Sequence, residues 1–172
     1  MMMACLAGCA PPTVQEKGMK LDLLAKTRKE KKQTLVTAVL RNVGSEPVDV
    51  LLEFMLSRTY GRLMDDRGGE LAAQDAGAVR GARAFGMERI KTRHLKPGEE
   101  VEIAEFSLNP SAHHAGVEDL TWDLKEVQSR TLTLELIYEV SEDAATTARH
   151  HKAPVVAVGR WTSKPVVLDY RK

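Results

Sequence analysis

Two adjacent histidine pairs, His113-His114 and His150-His151, are the residues whose type and spacing most directly invite chemistry. Imidazoles in polar loops are ligands for borderline metals, and four of them from two loops would complete a metal site. Neighbours on an extended chain point apart, however, and no Cys, Glu-x-x-His or third ligand at metal spacing reinforces them. If the chain simply alternates direction, the loops after Leu108 and after Val140 lie at opposite ends of the fold. The pairs then meet only if Asp119 to Ser129 crosses its full length. Asp65, Asp66 and Glu70 bring carboxylates together in the manner of a calcium site. Their loop is too short for a twelve-residue cation loop and lacks its spaced ligands, so the expectation is a hairpin tip.

Catalytic groups are sparse. There is no G-x-S-x-G elbow and no phosphate loop, and the carboxylate pairs Glu99-Glu100 and Glu118-Asp119 fall in turns where solvated acids are the rule. The expectation is a non-catalytic protein without a cofactor. Trp122 and Trp161 read as packing residues. Lys26, Arg28, Lys29, Lys31 and Lys32 form the strongest charge cluster. Such a cluster is usually the tip of a hairpin, although it could also rest against anionic headgroups. The 25 Lys and Arg balance 24 Asp and Glu, leaving a net charge of +1 and no global field for nucleic acid.

Both cysteines, Cys5 and Cys9, lie at the amino terminus, so the rest of the 172-residue chain contains no disulfide. Leu6, Ala7, Gly8 and Cys9 spell L-A-G-C, which resembles the site where bacteria cut a lipoprotein signal and attach lipid to the new terminal cysteine. The resemblance covers the first nine residues. It implies lipidation at Cys9, an envelope location facing the periplasm or cell surface, and a membrane contact through the lipid. A secretory signal also needs a basic region and a longer apolar core. Residues 1–8 supply neither and read as a truncated signal, with a start assigned too far downstream. Residues 9–17, with Pro11 and Pro12, have the composition of a tether. Residues 18–172 then form one domain, since about 150 residues suffice for a single core.

The elements that must position any site are strands. Met19, Leu21 and Leu23 open the pattern, and Lys26 to Lys32 reads as a basic turn. Val36, Ala38 and Leu40 alternate up to Asn42, where V-G-S-E-P turns the chain into a return strand through Val48, Val50, Leu52, Phe54 and Leu56. Tyr60 to Ala73 reads as a second hairpin. Gln74 to Gly86, with four alanines, three glycines and two arginines, reads as a long surface connection and the most mobile part of the domain. Within it Arg80, Arg83 and Phe85 are the candidate partner-binding residues, being cation and aromatic types enriched at interface hot spots.

Arg89 to Leu95 reads as a strand, and Lys96-Pro97-Gly98-Glu99 as a turn. Val101 and Ile103 have the opposite parity from Phe106 and Leu108, which predicts a bulge near Ala104. Val117 to Val127 reads as a short strand or irregular segment. Leu132, Leu134, Leu136, Tyr138 and Val140 make the clearest strand in the chain. Ser141 to Lys152 reads as a polar loop, and Val155 to Val158 and Val166 to Tyr170 complete the sheet.

About seven to nine short strands with polar turns predict an all-β, antiparallel β-sandwich. L-V-T-A-V-L-R-N-V-G-S-E-P-V-D-V (Leu35 to Val50), L-K-P-G-E-E-V (Leu95 to Val101) and T-L-T-L-E-L-I-Y (Thr131 to Tyr138) resemble immunoglobulin-like domains of bacterial surface and secreted proteins. In wording and spacing they are also similar to the bacterial intracellular proteinase inhibitor family, where an Asn-x-Gly turn and a Pro-Gly turn recur. The ending Gly159 to Leu168 is similar to the final hairpin of related domains. The leading expectation is a lipid-anchored envelope protein that binds another envelope protein or stabilises an assembly, using the Gln74 to Gly86 connection and exposed sheet edges. The inhibitor resemblance implies a proteinase inhibitor as an alternative, and the histidine pairs imply a periplasmic metal-binding protein as another.

Overall fold

Residues 20–52, 56–75 and 90–171 are described by the computed structural model of the chain. Cys9, Arg80, Arg83, Phe85 and Phe54 lie outside them, as does nearly all of the Gln74 to Gly86 connection. Alternation in β1 (Leu21–Glu30), β2 (Gln33–Asn42) and β7 (Glu100–Asn109) builds three long strands of one antiparallel sheet. β8 (His114–Val117), β9 (Leu120–Asp123) and the two-residue β5 (Gln74–Asp75) extend it in the order β1-β2-β7-β8-β9-β5. Opposite it stands a sheet centred on β10 (Thr131–Val140). One edge of β10 takes β4 (Ser57–Met64), and the other is shared by β12 (Val166–Asp169) and β11 (Gly159–Thr162). β3 (Val48–Leu51) and β6 (Thr92–Leu95) form a separate two-stranded ribbon.

This is an antiparallel β-sandwich. Neighbours β1-β2-β7 and β4-β10-β12 reproduce the A-B-E and C-F-G pairing of immunoglobulin-like folds, but the strand beyond β7, β8, follows it in the chain, whereas strand D precedes E. Among the described residues there are twelve strands where about seven to nine are expected, and seven of them have four residues or fewer.

The inward faces meet as the alternation requires. Leu132, Leu134, Leu136, Tyr138 and Val140 are buried on β10 against Val36, Ala38, Leu40, Phe106 and Leu108 of the facing sheet. Trp122 packs edge-on against Phe106, and its indole N–H donates to the Leu71 carbonyl at 3.2 Å. The parity change in β7 is resolved by a bulge: Ala38 faces Ala104 while Val39 faces Glu102, leaving Ile103 unpaired. Gly98, at φ 82°, and Pro97 form a tight turn closed by Glu99 N–H donating to the Lys96 carbonyl at 3.0 Å.

Three local expectations are corrected. The basic stretch is strand up to Glu30, and only Lys31-Lys32 turns, with Lys31 left-handed at φ 43°. Val48 to Leu51 does not return along β2, whose two edges are already taken by β1 and β7, and it pairs with β6 instead. The segment expected as a polar loop contains a helix, α1 (Glu142–His150). Ser141 caps it by accepting from Ala144 N–H, Glu142 and Asp143 occupy its positive end, and Ala144, Ala145 and Ala148 bury its inner face.

Candidate protein-binding surfaces

The histidine pairs sit at opposite ends of the sandwich. His113 is left-handed at φ 50° after a 3-10 turn (Pro110–Ala112), and its ring meets Tyr170 beside the start of β10. His150 and His151 close α1, which begins after the far end of β10. A ten-residue strand is about 30 Å long, so the two pairs are not brought together. Among the described residues, no group of three or more His, Cys, Asp or Glu side chains is placed to hold a metal ion.

His113 has a structural partner. The Tyr170 hydroxyl lies 2.7 Å from the Leu124 carbonyl and 2.9 Å from His113 Nδ1. A carbonyl only accepts, so the single hydroxyl proton goes to Leu124, and His113 Nδ1 carries the proton it donates to Tyr170. Asp65 is likewise occupied within its hairpin, accepting from Arg67 N–H at 2.9 Å and Gly69 N–H at 2.7 Å. Glu70 pairs with Arg62 at 2.9 Å.

The basic cluster is largely neutralised. Lys26 pairs with Glu100, Arg28 with Glu105 and Glu30, and Lys29 with Asp169. These charges line the exposed edge strand β1, where Lys and Arg discourage an added strand. A second edge, that of β4, is occupied at two points. Leu71 N–H donates to the Leu63 carbonyl at 2.8 Å, and the Glu118 carboxyl takes a hydrogen bond from the Thr59 backbone. Glu118 stands in the turn between β8 and β9 at φ 48°. Although much of the residue is exposed, burial of its carboxyl, helped by the Asp119 charge, pushes its pKa up to about 7 against the pull of the Thr59 bond.

The outward face of the β10 sheet is built differently. Cross-strand register places Arg58, Glu139 and Arg160 in one row, Tyr60, Ile137 and Thr162 in the next, and Arg62 beside Glu135 in a third. The Tyr60 hydroxyl donates to Glu139 at 3.1 Å, and Arg62 lies 3.4 Å from Glu135. Burial, with the neighbouring Glu139 charge, raises the Tyr60 pKa, so the hydroxyl keeps its proton. The Arg160 guanidinium reaches across β10 to stand 5.9 Å from the centre of the Tyr60 ring. Ile137 is buried in the middle of this face although it points away from the core.

This face went unnoticed in the sequence. The signal was the S-R-T-Y-G-R-L-M alternation of β4, which puts Arg58, Tyr60 and Arg62 on one side, opposite the Glu135 and Glu139 parity of β10.

No family model and no curated protein matches the chain. Among solved structures, a penta-heme cytochrome c552 from Thermochromatium tepidum is similar at a TM-score of 0.31 and 13% identity, over 87% of this chain. The chain spans 40% of that cytochrome's length, and a likeness at this level carries no argument about fold or function.

Proposed function

We propose that this chain is a non-catalytic, lipid-anchored envelope protein whose sandwich binds a protein partner. The observation that carries this reading is the L-A-G-C sequence ending at Cys9, followed by eleven residues, Ala10 to Lys20, before the first strand. Extended, eleven residues reach about 36 Å, enough to hold a folded sandwich clear of a bilayer surface. The Arg- and Tyr-bearing face supports the binding half of the reading, because these types supply much of the energy at protein interfaces.

The test is metabolic labelling with a fatty acid in a bacterial host, using the chain behind a complete lipoprotein signal. Label and membrane fractionation are expected for wild type, and Cys9→Ser should lose both. Unlabelled wild-type protein in the soluble fraction would remove the anchor.

A further inference from the structure

On the outward face of β4, β10 and β11, Arg62 faces two acids, Glu70 and Glu135, whereas Arg58 and Arg160 share one, Glu139, so the positive charge is concentrated in the Arg58-Glu139-Arg160 row. Glu139 accepts from Tyr60, and Glu135 lies against Arg62, which also pairs with Glu70. Arg58 and Arg160 flank Glu139 in the same row, both exposed, and among the described residues neither forms an ion pair. That contrasts with β1, where Lys26, Arg28 and Lys29 each have an acidic partner.

We propose that this face docks an acidic protein surface, with Arg58 and Arg160 receiving its carboxylates and the Tyr60 ring its apolar part. The inference rests on the protein-binding reading above and names the surface and the chemistry of the partner. A guanidinium offers a planar fork that matches a carboxylate in two hydrogen bonds, which a flexible ammonium does not. Arg160 is already positioned over the Tyr60 ring, so less side-chain freedom is lost when a partner arrives. Tyr60 presents an apolar ring with its hydroxyl tied to Glu139, giving the charged row an apolar neighbour.

The full-length chain can be titrated with a glutamate-rich peptide carrying interspersed leucines, with the glutamine version of the same peptide as control, and followed by amide shifts. Shifts centred on Arg58, Tyr60, Glu139 and Arg160 are expected with the glutamate peptide. The double variant Arg58→Glu/Arg160→Glu should weaken binding roughly tenfold or more. Lys31→Glu/Lys32→Glu, an equal charge change at the hairpin tip, should leave it within about twofold. The glutamate pair sets three acids in one row with Glu139 and should lower the melting temperature. Arg58→Gln/Arg160→Gln, which should melt close to wild type and still lose binding, separates lost binding from lost folding.

Shifts centred on the Lys31-Lys32 tip would overturn the proposal, as would equal binding by the Arg58/Arg160 variant or by the glutamine peptide. Binding to phosphatidylglycerol vesicles in preference to the peptide, lost with the same two arginines, would assign the face to lipid and overturn it too. Failure here with Cys9-dependent lipid labelling intact would remove this face and leave the anchored reading standing.

Discussion

Asn42, fully buried at the end of β2, donates through Nδ2 to the Leu95 carbonyl at 3.0 Å and so ties the first sheet to the β3-β6 ribbon. The same amide group donates to the Glu46 carbonyl at 2.7 Å, while its Oδ1 accepts from Gly44 N–H at 2.9 Å. Its backbone joins the Pro-Gly turn, donating to Glu99 and accepting from Gly98. One residue therefore serves two turns, its side chain the Gly44-Glu46 turn and its backbone the Pro-Gly turn, and sets the direction in which the chain leaves β2.

Asn42→Ala should leave the buried Leu95 carbonyl without this donor and release the Glu46 carbonyl at the exposed turn. A loss of about 2 to 3 kcal/mol in denaturant unfolding is expected. A loss below about 0.5 kcal/mol, the range of an ordinary surface change, would show that the turns hold themselves.

Leu134 lies on the central strand, fully buried, with its Cδ1 only 3.1 Å from where a Cβ on Gly61 would stand. Leu134→Ala should cost about 2 to 5 kcal/mol through lost burial and the cavity left behind. The same measurement on Val167→Ala, an exposed position, should change stability by less than about 0.5 kcal/mol. Equal losses at the two sites would contradict the assignment of the core face.

The strands that bury one face were legible for a physical reason. On β10 and β2 the apolar residues must recur every second position to meet the opposite sheet, and the parity break at Ile103 announced its bulge. Pairing was less legible, because the V-G-S-E-P turn after Asn42 has the same chemistry whether the next strand returns beside β2 or crosses to β6. The outer half of β1 reads as a turn because every side chain there except Thr27 is charged, and its cations find acids on distant strands, Glu100, Glu105 and Asp169. Helix α1 was hidden by Thr146 and Thr147 and by an inner face made only of alanines, although Ser141 and the two acids after it are ordinary capping signals. The binding face was hidden for a related reason, since Arg58, Tyr60 and Arg160 become neighbours only once β4 and β11 flank β10.

The raised pKa of Glu118 makes a signed prediction. Its folded value of about 7 lies above the ordinary 4.5, so the fold favours the protonated carboxyl. That contribution is complete below about pH 4.5 and is lost as pH rises through about 7. Glu118→Gln, which stays neutral, should therefore gain in stability relative to wild type between pH 4.5 and 8. Parallel pH-stability curves for the two proteins would contradict the buried-carboxyl account.

Tyr170→Phe removes the hydroxyl shared by Leu124 and His113 and should cost about 1 to 3 kcal/mol, because the Leu124 carbonyl loses its donor. Nitrogen-15 shifts of the His113 ring should show the Nδ1–H tautomer in wild type when the ring is neutral. That preference should weaken in the variant. An Nε2–H tautomer in wild type would reverse the assigned direction of the His113 to Tyr170 bond.

The central claim is that an anchored sandwich presents the β4-β10-β11 face to a protein. Photo-crosslinking in intact envelopes tests it most directly, with the reactive side chain placed at Thr162 on that face and, as control, at Lys32 on the hairpin tip. The account predicts a discrete protein adduct from position 162, dependent on Arg58 and Arg160, with little from position 32. Adducts from position 32 alone, or an adduct from 162 that persists in the Arg58→Glu/Arg160→Glu background, would contradict it.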